Sequence, residues 1–232
     1  MNALLAFLSI LIVLAVLVFG LSRQLRRPRG WFGRRVMGPM LNRGNQRFLD
    51  NTVEALAPRP GERIVDVGFG GGYALDVIRE RIAPARPVGV EISAVMVEQG
   101  RERWRGAIDV YQADVATMPF ENASIDGLLS VNTIYFWPDP GAALREIRRV
   151  LKPDGRVVLG IRSKAFLLMS PVSWFGFKVY SVRQLERLLR DAGFEAEVRR
   201  MARGEVVVIG RIGAGPGSMT PVRREGVRSE PC

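Results

Sequence analysis

Residues 64–72 read Ile-Val-Asp-Val-Gly-Phe-Gly-Gly-Gly, and the next apolar run, Pro87-Val88-Gly89-Val90, ends on Glu91. The first run predicts a β-strand that stops in a glycine turn opening a helix. The second predicts a neighbouring strand with a carboxylate at its C-terminal tip. A unit of this kind brings bare backbone close to one end of a nucleoside and sets an acid against its ribose hydroxyls.

The spacing of the glycines narrows the ligand. Asp66 to Gly72 fits D-x-G-x-G-x-G, with an acid two residues before the first glycine. A dinucleotide fingerprint, G-x-G-x-x-G, counted from Gly68 would need its third glycine at Tyr73, whose bulk obstructs close helix–strand packing. Helix N-termini that hold a pyrophosphate favour anions, and an acid at Asp66 works against one. S-adenosylmethionine carries a sulfonium and an ammonium and no phosphate, so the pattern favours it over a nicotinamide cofactor.

A chain of 232 residues holds one ordinary domain with extensions. The first extension is apolar: Met1 to Ser22 carries no charge, and residues 3–20 read ALLAFLSILIVLAVLVFG. At 1.5 Å per residue that run reaches roughly 27 Å, close to the hydrocarbon thickness of a bilayer. It lacks the basic start, short apolar core and small-residue cleavage site of a signal peptide, and it has no polar face for a core helix. Residues 1–22 therefore read as a transmembrane anchor.

Arg23, Arg26, Arg27, Arg29, Arg34, Arg35, Arg43 and Arg47 all precede the first acid, Asp50. By the positive-inside rule the N-terminus lies outside and the bulk of the chain is cytoplasmic at the cell membrane. The same arginines contribute much of the net charge of +11. With no basic–aromatic interleaving, that charge points to anionic lipid rather than nucleic acid.

The single cysteine, Cys232, and the absence of histidine exclude an internal disulfide, a Cys/His metal cluster and any imidazole base. No metal site is expected.

Residues 23–41 read as a basic linker broken by Pro28, Gly30, Gly33, Gly38 and Pro39. A helix is expected over 42–57, stopped by Pro58-Arg59-Pro60-Gly61. Strands are then expected at 63–67, 88–91, 108–112, 125–131 and 156–161, with helices at 72–81, 93–104, 142–151 and 182–192. A hairpin pairing 195–200 with 205–211 closes the domain.

This alternation implies an open α/β sheet, mainly parallel, with helices on both faces. Ligands on such sheets bind beyond the carboxyl ends of the strands, where the glycine turn, Glu91 and Asp114 all fall. Residues 212–232, rich in Gly, Pro, Ser and Arg, read as a disordered tail. The stretch 163–181 is unusually apolar for a loop, and its reading stays open between a lid, a membrane contact and a short core helix.

Over residues 42–211 the chain resembles the class I S-adenosylmethionine-dependent methyltransferases, most of all the small-molecule group that includes the ubiquinone/menaquinone enzymes. Ile64–Gly72 resembles the first motif of that family. Gln112-Ala113-Asp114-Val115 resembles its adenine-binding segment, and residues 119–126 (PFENASID) the approach to the fourth strand. Residues 144–155 (LREIRRVLKPDG) resemble the helix and turn that follow it. The resemblance implies a Rossmann-like, seven-stranded sheet with its last strand antiparallel.

It also implies a cofactor site formed by Asp66, Gly68, Phe69, Gly70, Gly72, Glu91, Ile92, Asp114, Val115 and Asn132. Where relatives often carry histidine after the fourth strand, this chain has Asn132-Thr133-Ile134-Tyr135-Phe136-Trp137. Tyr135, Phe136 and Trp137 are the expected acceptor pocket, with Tyr135 the nearest group able to orient or deprotonate an acceptor.

The implied activity is methyl transfer to a small, hydrophobic or lipid-like acceptor at the membrane. Two alternatives stand beside it: a nicotinamide-dependent oxidoreductase, and a membrane scaffold that binds the nucleoside without turnover.

Overall fold

The computed structural model describes residues 2–213, so Cys232 and most of the expected tail lie outside the described residues. A seven-stranded sheet of order β3-β2-β1-β4-β5-β7-β6 forms the centre. Its strands are β1 (Ile64–Val67), β2 (Val88–Glu91), β3 (Asp109–Gln112), β4 (Ile125–Val131), β5 (Leu151–Arg162), β6 (Phe194–Arg200) and β7 (Glu205–Ile212). β1, β2 and β4 are apolar and almost wholly buried, as strands covered on both faces must be. β7 runs antiparallel between β5 and β6, as the family resemblance implied.

The helices are α1 (Asn2–Arg26), α2 (Gly30–Phe32), α3 (Gly38–Leu56), α4 (Tyr73–Ile82), α5 (Ala94–Trp104), α6 (Pro140–Val150), α7 (Lys164–Leu168) and α8 (Val182–Asp191). Side-chain caps start several of them. Ser93 accepts from the Met96 N–H and Asp139 from the Ala142 N–H, while Ser181 and Gln184 form a reciprocal capping box before α8. Strand order reverses between β1 and β4, so a crevice opens above their carboxyl ends, where an open α/β sheet holds its ligand.

Three expectations need correction. Residues 23–41 are largely helical rather than an open linker: α1 continues through Arg26, and a short turn of π-helix, Gly33–Met37, leads into α3. Pro39 does not delay α3, which begins at Gly38 and continues the preceding π-turn. The Pro153-Asp154-Gly155 turn lies within β5, at a register shift against β4.

From Leu4 to Arg26, α1 forms an apolar helix of mean hydropathy 3.1, with none of its most apolar stretch buried in the domain. A core helix would be covered; this one projects.

Candidate functional site

The carboxyl ends of β1, β2 and β4 border a cavity of about 830 Å³. Its walls include Asp66, Gly68, Phe69, Gly70 and Gly71 from the first turn, Glu91 and Ile92 from the end of β2, and Asp114 and Val115 after β3. Asn132, Phe136 and Trp137, which follow β4, complete the expected residues that reach it.

The backbone here demands glycine. Gly68 adopts φ 73, its N–H donates to the Val90 carbonyl at 2.7 Å, and a Cβ added to it would collide with the Thr133 methyl. Asn132 is also left-handed, at φ 57, with its N–H held by the Gly160 carbonyl at 2.8 Å. Asparagine tolerates that region better than most side chains.

Two acids sit in one wall. The Glu91 carboxylate accepts hydrogen bonds from the Ser93 N–H at 3.0 Å and the Gly70 N–H at 3.3 Å, which ties β2 to the glycine turn. Burial pushes Glu91 above the usual carboxylate range, against the pull of those backbone bonds and of the Arg27 guanidinium. Asp66 is pushed up to about 8, first by burial and then by the neighbouring Glu91. A cation placed between them would favour their ionised forms, whereas a pyrophosphate would oppose the ionisation of either. The cradle and its charge thus fit S-adenosylmethionine.

Two predicted site residues lie elsewhere. Tyr135 is 2 % exposed and belongs to the core, stacked on Phe177 with ring centroids 5.7 Å apart. Its hydroxyl accepts from the Arg162 N–H at 2.5 Å and donates to Asn132 Oδ1 at 3.3 Å. Burial raises its phenol well above the ordinary tyrosine value, so it stays protonated at neutral pH. It is a positioning residue that steadies Asn132. Gly72 caps α4 in the left-handed conformation and is not among the cavity-lining residues; a Cβ there would strike the Trp104 ring. Its glycine serves packing.

Other cavity-lining residues were not legible in the sequence. Asn45 and Leu49 of α3, Thr133, Phe175 and Gly176 all contribute, as do residues from Phe19 to Arg29 at the end of α1. Ser93 Oγ donates to the Pro28 carbonyl at 2.7 Å and Gln99 Nε2 to the Arg34 carbonyl at 2.6 Å, so α5 holds the chain leaving α1 over the site. No local pattern links residues 65 positions apart.

Residues 65–159 match the family model described as a methyltransferase domain. Those residues form a methyltransferase domain of the class I S-adenosylmethionine-dependent kind. Among curated relatives, it is 32% identical to an uncharacterised 37.1 kDa protein of transposon TN4556 from Streptomyces fradiae, over 65% of this chain and 44% of that protein. It is 31% identical to the ubiquinone/menaquinone biosynthesis C-methyltransferase of Geotalea daltonii, over 65% of this chain and 66% of that one. The chain thus spans less than two thirds of the length of both.

A putative methyltransferase from Haloferax volcanii, solved with the Trm112 methyltransferase activator, shares the fold at TM-score 0.71 and 20% identity. That match covers 78% of this chain and 96% of the other. The cofactor of the methyltransferase domain is S-adenosylmethionine.

Proposed function

We propose that this protein is a membrane-anchored methyltransferase acting on a small, apolar acceptor at the cytoplasmic face of the cell membrane. One observation carries the reading. The same cavity is bounded by the glycine turn with its two acids and by the end of the long apolar helix.

In this assignment Glu91 holds the ribose hydroxyls, Asp66 faces the cationic methionine end, and Asp114 meets the adenine amino group between Ile92 and Val115. Gly68, Phe69, Gly70 and Asn132 shape the cradle. Phe136 and Trp137 form the acceptor wall. The relationship to a quinone-biosynthesis methyltransferase is consistent with an apolar acceptor of this kind.

Bound S-adenosylmethionine supplies an already activated methyl group with a neutral leaving group. What remains for the chain is alignment and exclusion of water, which well-placed walls provide. The buried Tyr135 phenol stays protonated at neutral pH, and the chain has no histidine. An acceptor whose own acidity or lone pair makes it nucleophilic needs no enzyme base.

α1 is the anchor. The arginines from Arg23 onward keep its C-terminal side cytoplasmic and lie against anionic headgroups.

The test is calorimetric titration of the full chain in detergent with S-adenosylmethionine, and with NADH in parallel. Binding of the first alone, weakened in Glu91→Ala by about 10- to 100-fold, is expected from the loss of hydrogen bonds to a charged acceptor. Binding of NADH alone would overturn the assignment. Release of S-adenosylhomocysteine on incubation with membrane extract separates an enzyme from a scaffold, and resistance to alkaline carbonate extraction checks the anchor.

A further inference from the structure

We infer that the methyl-transfer cavity opens sideways into the bilayer, and that residues 164–176 form an apolar lip inserted beside α1. The acceptor then enters already dissolved in lipid. This rests on the function proposed above and extends it to the route the acceptor takes.

The geometry begins with α1. Phe19 and Gly20 line the cavity, although both belong to the charge-free run that matches the hydrocarbon thickness. The first arginine comes only at Arg23. One cavity wall therefore reaches the depth at which the span leaves the hydrocarbon. Facing it are Phe175 and Gly176, which line the same cavity, and the Phe19 and Phe175 rings meet edge to face with centroids 5.8 Å apart.

The lip continues away from that contact. α7 and the 3-10 turn Pro171–Trp174 leave Phe166, Leu168, Met169 and Trp174 exposed, Met169 by 84% and Trp174 by 66%. A contiguous apolar surface of this kind is uncommon on a domain meant to face water. Lys164 is the only charged residue between Ser163 and Phe177. The Trp174 indole N–H donates to the Leu168 carbonyl at 3.1 Å while its ring stays bare, which suits a side chain at the lipid–water boundary.

A closing lid would turn these side chains inward over Phe136 and Trp137. Instead they extend the apolar surface that begins on α1, and a bilayer holding α1 covers them without any movement of the segment. Lipid is the occupant this continuity selects.

The experiment uses the full chain in nanodiscs of phosphatidylcholine and phosphatidylglycerol, with or without bromine at mid-acyl chain. In the Trp31→Phe background, Trp174 is the exposed tryptophan, because Trp104 and Trp137 are buried. Brominated lipid is expected to remove most of the Trp174 emission. The further change Trp174→Phe should leave only emission that bromine barely alters. Equal emission from Trp174 in brominated and plain discs would overturn the lip.

A second arm follows labelled methyl incorporation into organic-extractable material from membranes. The Leu168→Asp/Met169→Asp variant should lose most of it while binding S-adenosylmethionine as the wild type does. Wild-type incorporation by that variant would overturn the lateral route. Titration of S-adenosylmethionine in the same discs separates the two failures: absent binding removes the methyltransferase assignment, whereas intact binding without quenching removes only the lip.

Discussion

Replacing Asp66 by asparagine should make the protein without cofactor more stable, by an amount that grows with pH. In the native state the Asp66 carboxyl is buried beside Glu91 and titrates at about 8 rather than at its ordinary 3.8. Between those values the folded chain keeps a proton that the unfolded chain has released. The unfolded state then binds fewer protons, and stability falls as pH rises.

At roughly 1.4 kcal/mol for each pH unit, the cost at pH 7 is about 4 kcal/mol, and at pH 5 under about 2. An amide at this position does not titrate, so the gap between variant and wild type should widen by about 3 kcal/mol between pH 5 and pH 7. Glu62, Asp126, Glu146 and Glu197 are held below their ordinary values and lose their contribution on acidification. They are present in both proteins and cancel in the difference. Urea unfolding followed by fluorescence at several pH values measures the gap. Saturating S-adenosylmethionine should shrink it, because a bound cation favours the charged carboxylate. Parallel pH profiles for the two proteins would refute the reasoning.

Gly68→Ala should abolish measurable cofactor binding, because its Cβ meets the Thr133 methyl and its φ of 73 disfavours any side chain. Gly68→Ala/Thr133→Ser relieves the collision, leaving about 1–2 kcal/mol of left-handed strain, and calorimetry should register partial recovery. Tyr135→Phe should lower stability by about 1 kcal/mol through its lost hydrogen bonds, yet leave the shape of the pH–rate profile unchanged. Loss of an ionisation from that profile would restore Tyr135 as a base. Arg27→Ala removes a charge that holds Glu91 down, so cofactor affinity should fall at low pH and return to the wild-type value at high pH, as read by titration across that range.

The first-turn glycines, the acid ending β2 and the βα alternation were legible because each is a local requirement. A left-handed turn needs residues without side chains, and a doubly covered parallel strand needs an apolar run. The same locality misplaced Tyr135. Its position three residues after Asn132 suits a pocket aromatic, but the 3-10 turn Ile134–Phe136 rotates it into the core against Phe177. Periodicity could not give that rotation, because it depends on what the turn packs against.

By itself, then, the sequence determined the sheet, the glycine turn and the apolar helix, each written in a short window of residues. Only the tertiary structure decided that this helix ends at the cavity beside the glycine turn. That meeting depends on Ser93 holding Pro28, Gln99 holding Arg34 and Phe175 touching Phe19. Contacts between residues so far apart in the chain leave no periodic trace, since any residue able to donate or pack could occupy each position.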